Sequence, residues 1–83
     1  MVNRLLGKKV IGVKQSLRSM ENGFGETLYV ANDADNKLIA PLIKYADEIN
    51  ISIKRVETMK ELGKMCGLQI ETAAALKLKE NNI

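Results

Sequence analysis

Glu26-Thr27-Leu28-Tyr29-Val30-Ala31 runs directly into Asn32-Asp33-Ala34-Asp35-Asn36, an apolar run followed by a polar one. From Leu28 to Ala31 the chain is almost wholly apolar. A strand solvated on one side alternates apolar and polar residues, whereas a continuous apolar run suits a central strand covered on both faces. The polar residues that follow form a turn whose side chains can accept hydrogen bonds from the first N–H groups of a helix. Leu38, Ile39, Leu42, Ile43, Ala46 and Ile49 then recur at helical spacing and predict a helix over 38–49. Pro41 lacks an N–H and restricts its predecessor, so this helix should start late, near Leu38, or kink. Ile51, Ile53 and Val56 mark a second strand over 51–56. Strand, helix and strand of these lengths make a right-handed parallel crossover.

Working outward, Thr58-Met59-Lys60-Glu61 is a capping box, which starts a helix at Met59 that runs to about Cys66 and stops at Gly67. Residues 68–71 read as a loop with two apolar members, and 72–78 as a last strand, rich in Ala where something packs closely. On the other side, Val13, Leu17 and Met20 share one helical face, and Asn22-Gly23 ends that helix because Gly enters the left-handed region without strain. Lys9-Val10-Ile11 is a short extended piece before Gly12. Val2, Leu5 and Leu6 suggest a short first helix ending near Gly7. The alternation of helices and strands predicts a single α/β domain over 1–83, a three-layer α/β/α sandwich around a small mixed four-stranded sheet.

Charge is lopsided. Residues 1–20 hold Arg4, Lys8, Lys9, Lys14 and Arg18 and no acid, a balance of +5, while residues 21–83 carry eight bases and ten acids, a balance of −2. A basic end on a mildly acidic body points to a polyanionic partner. The chain has no His, which removes the commonest general base and metal ligand, and a single Cys, which excludes an internal disulfide and a Cys–His nucleophile pair. No cofactor or metal site is expected, and the chain is read as not an enzyme. Arg4, Lys8 and Lys9 break the first apolar stretch, so no signal peptide is expected. No run approaches the roughly 18 apolar residues of a membrane span. The expectation is a cytoplasmic protein without membrane contact, and nothing demands more than a monomer.

Lys14, Gln15 and Arg18 lie on one side of the helix that begins at Val13, opposite its apolar face. Lys14 and Arg18 are neighbours of like charge, which costs a few tenths of a kcal/mol that an anionic partner would recover. Gly12 lets another backbone approach, and a helix N-terminus adds positive partial charge. The Lys ammonium and Gln amide can donate to guanine O6/N7 or adenine N7. The plainer reading is an ordinary solvated helix face. For Leu68-Gln69-Ile70-Glu71 the plainer reading tucks both apolar side chains into the core, and the sharper one makes an exposed lip over an unstacked nucleotide. With Phe24, Tyr29 and Tyr45 as the whole aromatic set, and Tyr29 alone on a strand, base stacking across a sheet is disfavoured. Asp33-Ala34-Asp35-Asn36 fails as a calcium loop, with Leu38 where Gly belongs and Lys44 where the bidentate Glu belongs. Gly23-Phe24-Gly25 precedes a strand and is a turn rather than a dinucleotide loop. Cys66, with Met59, Leu62 and Met65, reads as core.

Gly12-Val13-Lys14-Gln15, then Leu28 to Asp35, then Leu62-Gly63-Lys64-Met65-Cys66-Gly67-Leu68-Gln69-Ile70 resemble, in order and spacing, the kink-turn RNA-binding ribosomal protein family, the L-seven-Ae family, and its small bacterial members most. The resemblance implies the same sandwich. It also implies a site in which the start of the second helix enters the widened major groove of a kink-turn beside tandem sheared G·A pairs. Gly12 and Val13 open that site. Lys14 stands where the family usually has Asn, and Gln15 where it has Glu. Arg18 matches a basic RNA contact. Leu68, Gln69, Ile70 and Glu71 fill the loop that packs on the extruded nucleotide, with Glu71 where a small residue or Pro is common. Lys8 and Lys9 are further candidates for phosphate contacts. The implied partner is a structured RNA, ribosomal or riboswitch, and through it the ribosome. The rival reading is a protein–protein adaptor on the same fold, using the surface of 38–49 or 59–66 and indifferent to Lys14.

Overall fold

Residues 4–79 are described by the computed structural model, and their apolar run at 28–31 lies inside a four-stranded sheet. The described elements are β1 (Lys9–Ile11), α1 (Val13–Glu21), β2 (Gly25–Ala31), α2 (Asn36–Glu48), β3 (Ser52–Val56), α3 (Met59–Met65) and β4 (Ala74–Leu78). The strand order is β1-β4-β2-β3. β4 runs antiparallel to both β1 and β2, and β2 runs parallel to β3 with Leu28 opposite Ile53. The inner strands β2 and β4 carry the apolar load: Leu28, Val30, Ala31, Ala74, Ala75 and Leu76 are all fully buried. The edge strand β3 leaves Ser52, Lys54 and Arg55 exposed, as edges do to discourage further pairing. Helices α1 and α2 pack on each other and on the sheet, and α3 packs on β2, β3 and β4 to complete the α/β/α sandwich. Met20, Ile39, Leu42, Ala46, Leu62 and Cys66 supply the helical side of the core.

Most predicted elements form within a residue or two of their expected bounds. The capping box forms as read: Thr58 Oγ1 accepts the Glu61 N–H at 3.0 Å. Gly23 and Gly67 take φ of 80° and 78° just beyond α1 and α3.

Three expectations are corrected. The helix proposed from Val2, Leu5 and Leu6 is absent at residues 4–8, and Val2 lies outside the described residues. Leu5 is buried and Leu6 is 72% exposed, and the Leu5 N–H donates to the Met65 carbonyl at 2.8 Å. A single inserted leucine, rather than a helical face, anchors this segment. The second correction concerns α2, which starts at Asn36. Asp35 caps it, accepting the Lys37 N–H at 2.9 Å, and Pro41 sits inside. The cap and the buried Ile39, Leu42 and Ala46 outweigh the one hydrogen bond that the proline removes. Third, the core stripe of α2 is narrower than the sequence suggests, since Leu38 and Ile49 are 52% and 38% exposed. In α1, small Ser16 joins Met20 as a fully buried residue, while Val13 and Leu17 are half-buried.

Candidate nucleic-acid interface

The strand directions place the starts of the helices together. β1, β2 and β3 run the same way, each is followed by a helix, and β4 returns against them. Gly12, Asp35 and Thr58, the N-caps of α1, α2 and α3, therefore collect at one end of the sheet, where the loop between α3 and β4 also arrives. Backbone bonds tie these pieces into one surface. The Gly12 N–H donates to Ala74 O at 2.8 Å, Ala31 N–H to Ala73 O at 2.9 Å, Asn32 N–H to Val56 O at 2.7 Å and Thr72 N–H to Met59 O at 3.0 Å. Asp33 adds a brace across the chain, its Oδ1 accepting the Met59 N–H at 2.8 Å.

The helix starts at this end are not alike. α2 and α3 each have a side-chain cap. α1 begins at Gly12 with no side-chain cap and no acid in its first turn. Its first N–H groups lack intrahelical acceptors by geometry, so they face outward as donors, with the positive end of the helix dipole behind them. Gly12 has φ 100°, a conformation L side chains avoid, and a Cβ built there would meet nothing within 4 Å. Backbone shape, rather than crowding, requires the glycine, and open space lies over it. Lys14, Gln15 and Arg18 are exposed beside it. Among the described residues the one ion pair is Lys77 Nζ with Glu26 Oε1 at 3.3 Å, so neither Lys14 nor Arg18 is neutralised within the fold.

Residues 68–71 divide the two readings between them. Leu68 is half-buried against the core, and Ile70 is 67% exposed. The loop is held by the end of α3, where the Leu68 N–H donates to Gly63 O at 2.9 Å and the Gly67 N–H to Lys64 O at 3.0 Å. This pairing is a Schellman closure that needs the left-handed residue at Gly67. The loop backbone then crosses α3 so closely that a Cβ on Gly63 would overlap the Ile70 carbonyl oxygen. Between α3 and the loop lies a groove of about 450 Å³ lined by Lys60, Lys64, Leu68, Gln69, Ile70 and Glu71.

Lys8 and Lys9 stand apart from this end. Lys9 opens β1 and Lys8 precedes it, about 10 Å and about 13 Å from Gly12 at about 3.3 Å per strand residue. Lys8 is exposed, and Lys9 is half-buried, close enough to act on Cys66. Burial pushes the Cys66 thiol up, and the Lys9 charge opposes that shift. A buried, protonated thiol is unreactive, in keeping with a core role.

Sequence reading missed Gly63 and Asp33 as builders of the site. A glycine inside a helical pattern was the available signal for the first. Asp33 had none, because its partner lies 26 residues away. A cleft of about 720 Å³ lies on the other flank of α3, between Arg4, Lys54 and Arg55 on one hand and Glu57 and Glu61 on the other, where opposite charges offset each other. Among the described residues there is no group of three or more potential metal ligands, and no helix is long and apolar enough to cross a membrane.

Known proteins resemble this chain in sequence or in fold. A protein of Geobacillus thermodenitrificans called "RNA-binding protein" is 41% identical over 73 residues, covering 88% of this chain and 89% of its own. "Large ribosomal subunit protein eL8" of Haloquadratum walsbyi is 34% identical over 65 residues, covering 77% of this chain and 54% of its own. Among solved structures, the "Giardia lamblia 15.5kD RNA binding protein" superposes with a TM-score of 0.82 at 20% identity. The match covers 88% of this chain and 62% of that one, and it shows the shared fold. Residues 4–83 match the profile of the Ribosomal protein L7Ae/L30e/S12e/Gadd45 family, and with relatives this close along most of its length, the chain belongs to that family.

Proposed function

We propose that this chain is a non-enzymatic RNA-binding protein that recognises kink-turns in structured RNA, as a single domain, in the cytoplasm and in association with ribosomal or riboswitch RNA. The observation that carries this reading is the uncapped, acid-free start of α1, at the end of the sheet where the loop that carries exposed Ile70 enters β4. The names of its relatives and the family profile support the same partner.

The chemistry follows from the residues. An ordinary A-form major groove is too narrow for a helix, so a kink that widens it is what admits α1. The Lys14 ammonium then donates to guanine O6/N7. The Gln15 amide can both donate and accept, which suits an adenine edge. The free N–H groups of α1 meet RNA acceptors, and Arg18 holds a phosphate. Lys8 and Lys9 reach phosphates further along the backbone, and Leu68 and Ile70 cover the nucleotide extruded from the bulge. Binding the kinked form alone shifts a flexible bulge toward that form, since a ligand moves an equilibrium by its differential affinity.

The test is titration of a short kink-turn hairpin at near-physiological salt, against the same hairpin with both G·A pairs made Watson–Crick. Tight binding to the first alone supports structure-specific recognition. Equal binding to both reduces the basic end to a non-specific patch. No binding to either favours the adaptor reading.

A further inference from the structure

Lys60 and Lys64 were not among the RNA contacts expected from the sequence, and nothing in the fold explains both. They lie four apart on α3, exposed, with the like-charge cost of such a pair. Lys64, in the last turn, suits the helix dipole. Lys60 is the second helical residue, where the dipole disfavours a cation. Among the described residues neither lies within ion-pair distance of a carboxylate. Both line the groove whose other wall is Leu68, Gln69, Ile70 and Glu71, with Ile70 67% exposed. An apolar surface facing a cationic wall matches one unpaired nucleotide: a base covers the apolar side chains, and its phosphate faces the ammonium groups.

We propose that Lys60 and Lys64 bind the backbone phosphate of the unpaired nucleotide whose base lies on Leu68 and Ile70. This rests on the kink-turn reading above and extends it to the opposite sheet face. α1 holds the RNA from one side and α3 from the other, with the loop 68–71 between them. Aliphatic side chains offer no hydrogen-bond readout, so the phosphate matters here and the identity of the base matters little. Glu71 opposes the phosphate from the loop side and sets a limit on the strength of the contact.

The experiment compares wild type, Lys60→Gln/Lys64→Gln and Lys60→Arg/Lys64→Arg on the kink-turn hairpin and its Watson–Crick control across a salt series. The hairpin is used both unmodified and with neutral methylphosphonates flanking the unpaired nucleotide. The glutamine variant should keep its thermal melting profile and still prefer the kinked hairpin. Its dependence of log K on log[salt] should be shallower by about 0.7, the value for one single-strand phosphate that is no longer neutralised. The arginine variant should keep the wild-type slope. Methylphosphonates should weaken wild type and leave the glutamine variant unchanged. If wild type and the glutamine variant show the same slope, or lose affinity equally to methylphosphonates, while both discriminate the hairpins, this inference alone is overturned. If wild type itself does not discriminate the hairpins, the kink-turn reading falls and this inference with it.

Discussion

α1 and α3 start at the same end of the same sheet and settle their first N–H groups in opposite ways. At α3, Thr58 Oγ1 accepts the Glu61 N–H, Asp33 Oδ1 accepts the Met59 N–H, and Glu61 places an acid in the first turn. At α1, Gly12 offers no acceptor, no acid follows, and Lys14 stands where the dipole disfavours it. A side-chain cap typically stabilises a helix by about 1 kcal/mol, so a helix without one gives up stability that its neighbour keeps. The difference separates two tasks. α3 is closed within the fold and carries the loop 68–71 on its back. α1 is left open, and under the proposed function RNA acceptors complete it.

The largest effect is expected where the loop crosses α3. Gly63→Ala should gain helix propensity by about 1 kcal/mol but force the Ile70 backbone away, for a net loss in urea unfolding toward the upper end of the about 1–3 kcal/mol typical of overpacking. A stabilised Gly63→Ala protein would show that the loop is not seated as described. Next, Lys14→Ala should cost about 1–3 kcal/mol of RNA affinity if Lys14 reads a base, with unfolding unchanged. The same loss on every duplex would instead make Lys14 a phosphate contact. Asp33→Ala should lower stability by about 1 kcal/mol through the orphaned Met59 N–H and weaken RNA binding less than Lys14→Ala does. The reverse order would move the interface toward α3. Smallest of all, Glu71→Gln should tighten RNA binding by up to about 1 kcal/mol, an electrostatic gain that fades with added salt. Weaker binding would give Glu71 a direct role in holding RNA.

What the sequence made legible was local or periodic. The apolar run of β2, the Thr58 capping box and the glycines beyond α1 and α3 each act within a few residues, and each lies where it was expected. What it concealed depends on partners distant in the chain. Leu5 and Leu6 mimic a helical face because two adjacent leucines carry no period of their own, and only the bond to the Met65 carbonyl shows how the segment is anchored. Asp33 reads as one more turn residue until Met59 is beside it. Lys60 and Lys64 drew no reading as a pair, because only the loop 68–71 folding back makes a groove of them. Lys8 and Lys9 are close to Gly12 in sequence, but an extended strand carries them away from it. Gln15 and Lys14 were legible as donors in sequence, whereas the bareness of the helix end behind them needed the fold.

If RNA completes the open start of α1, amide hydrogen exchange with and without the kink-turn hairpin registers it at the first N–H groups of that helix. Val13, Lys14 and Gln15 should exchange fast in the free protein and be clearly protected on binding. Met59 and Glu61, already bonded within the fold, should be slow in both states. Protection confined to the exposed surface of α2 around Leu38, with Val13 to Gln15 unchanged, would contradict it.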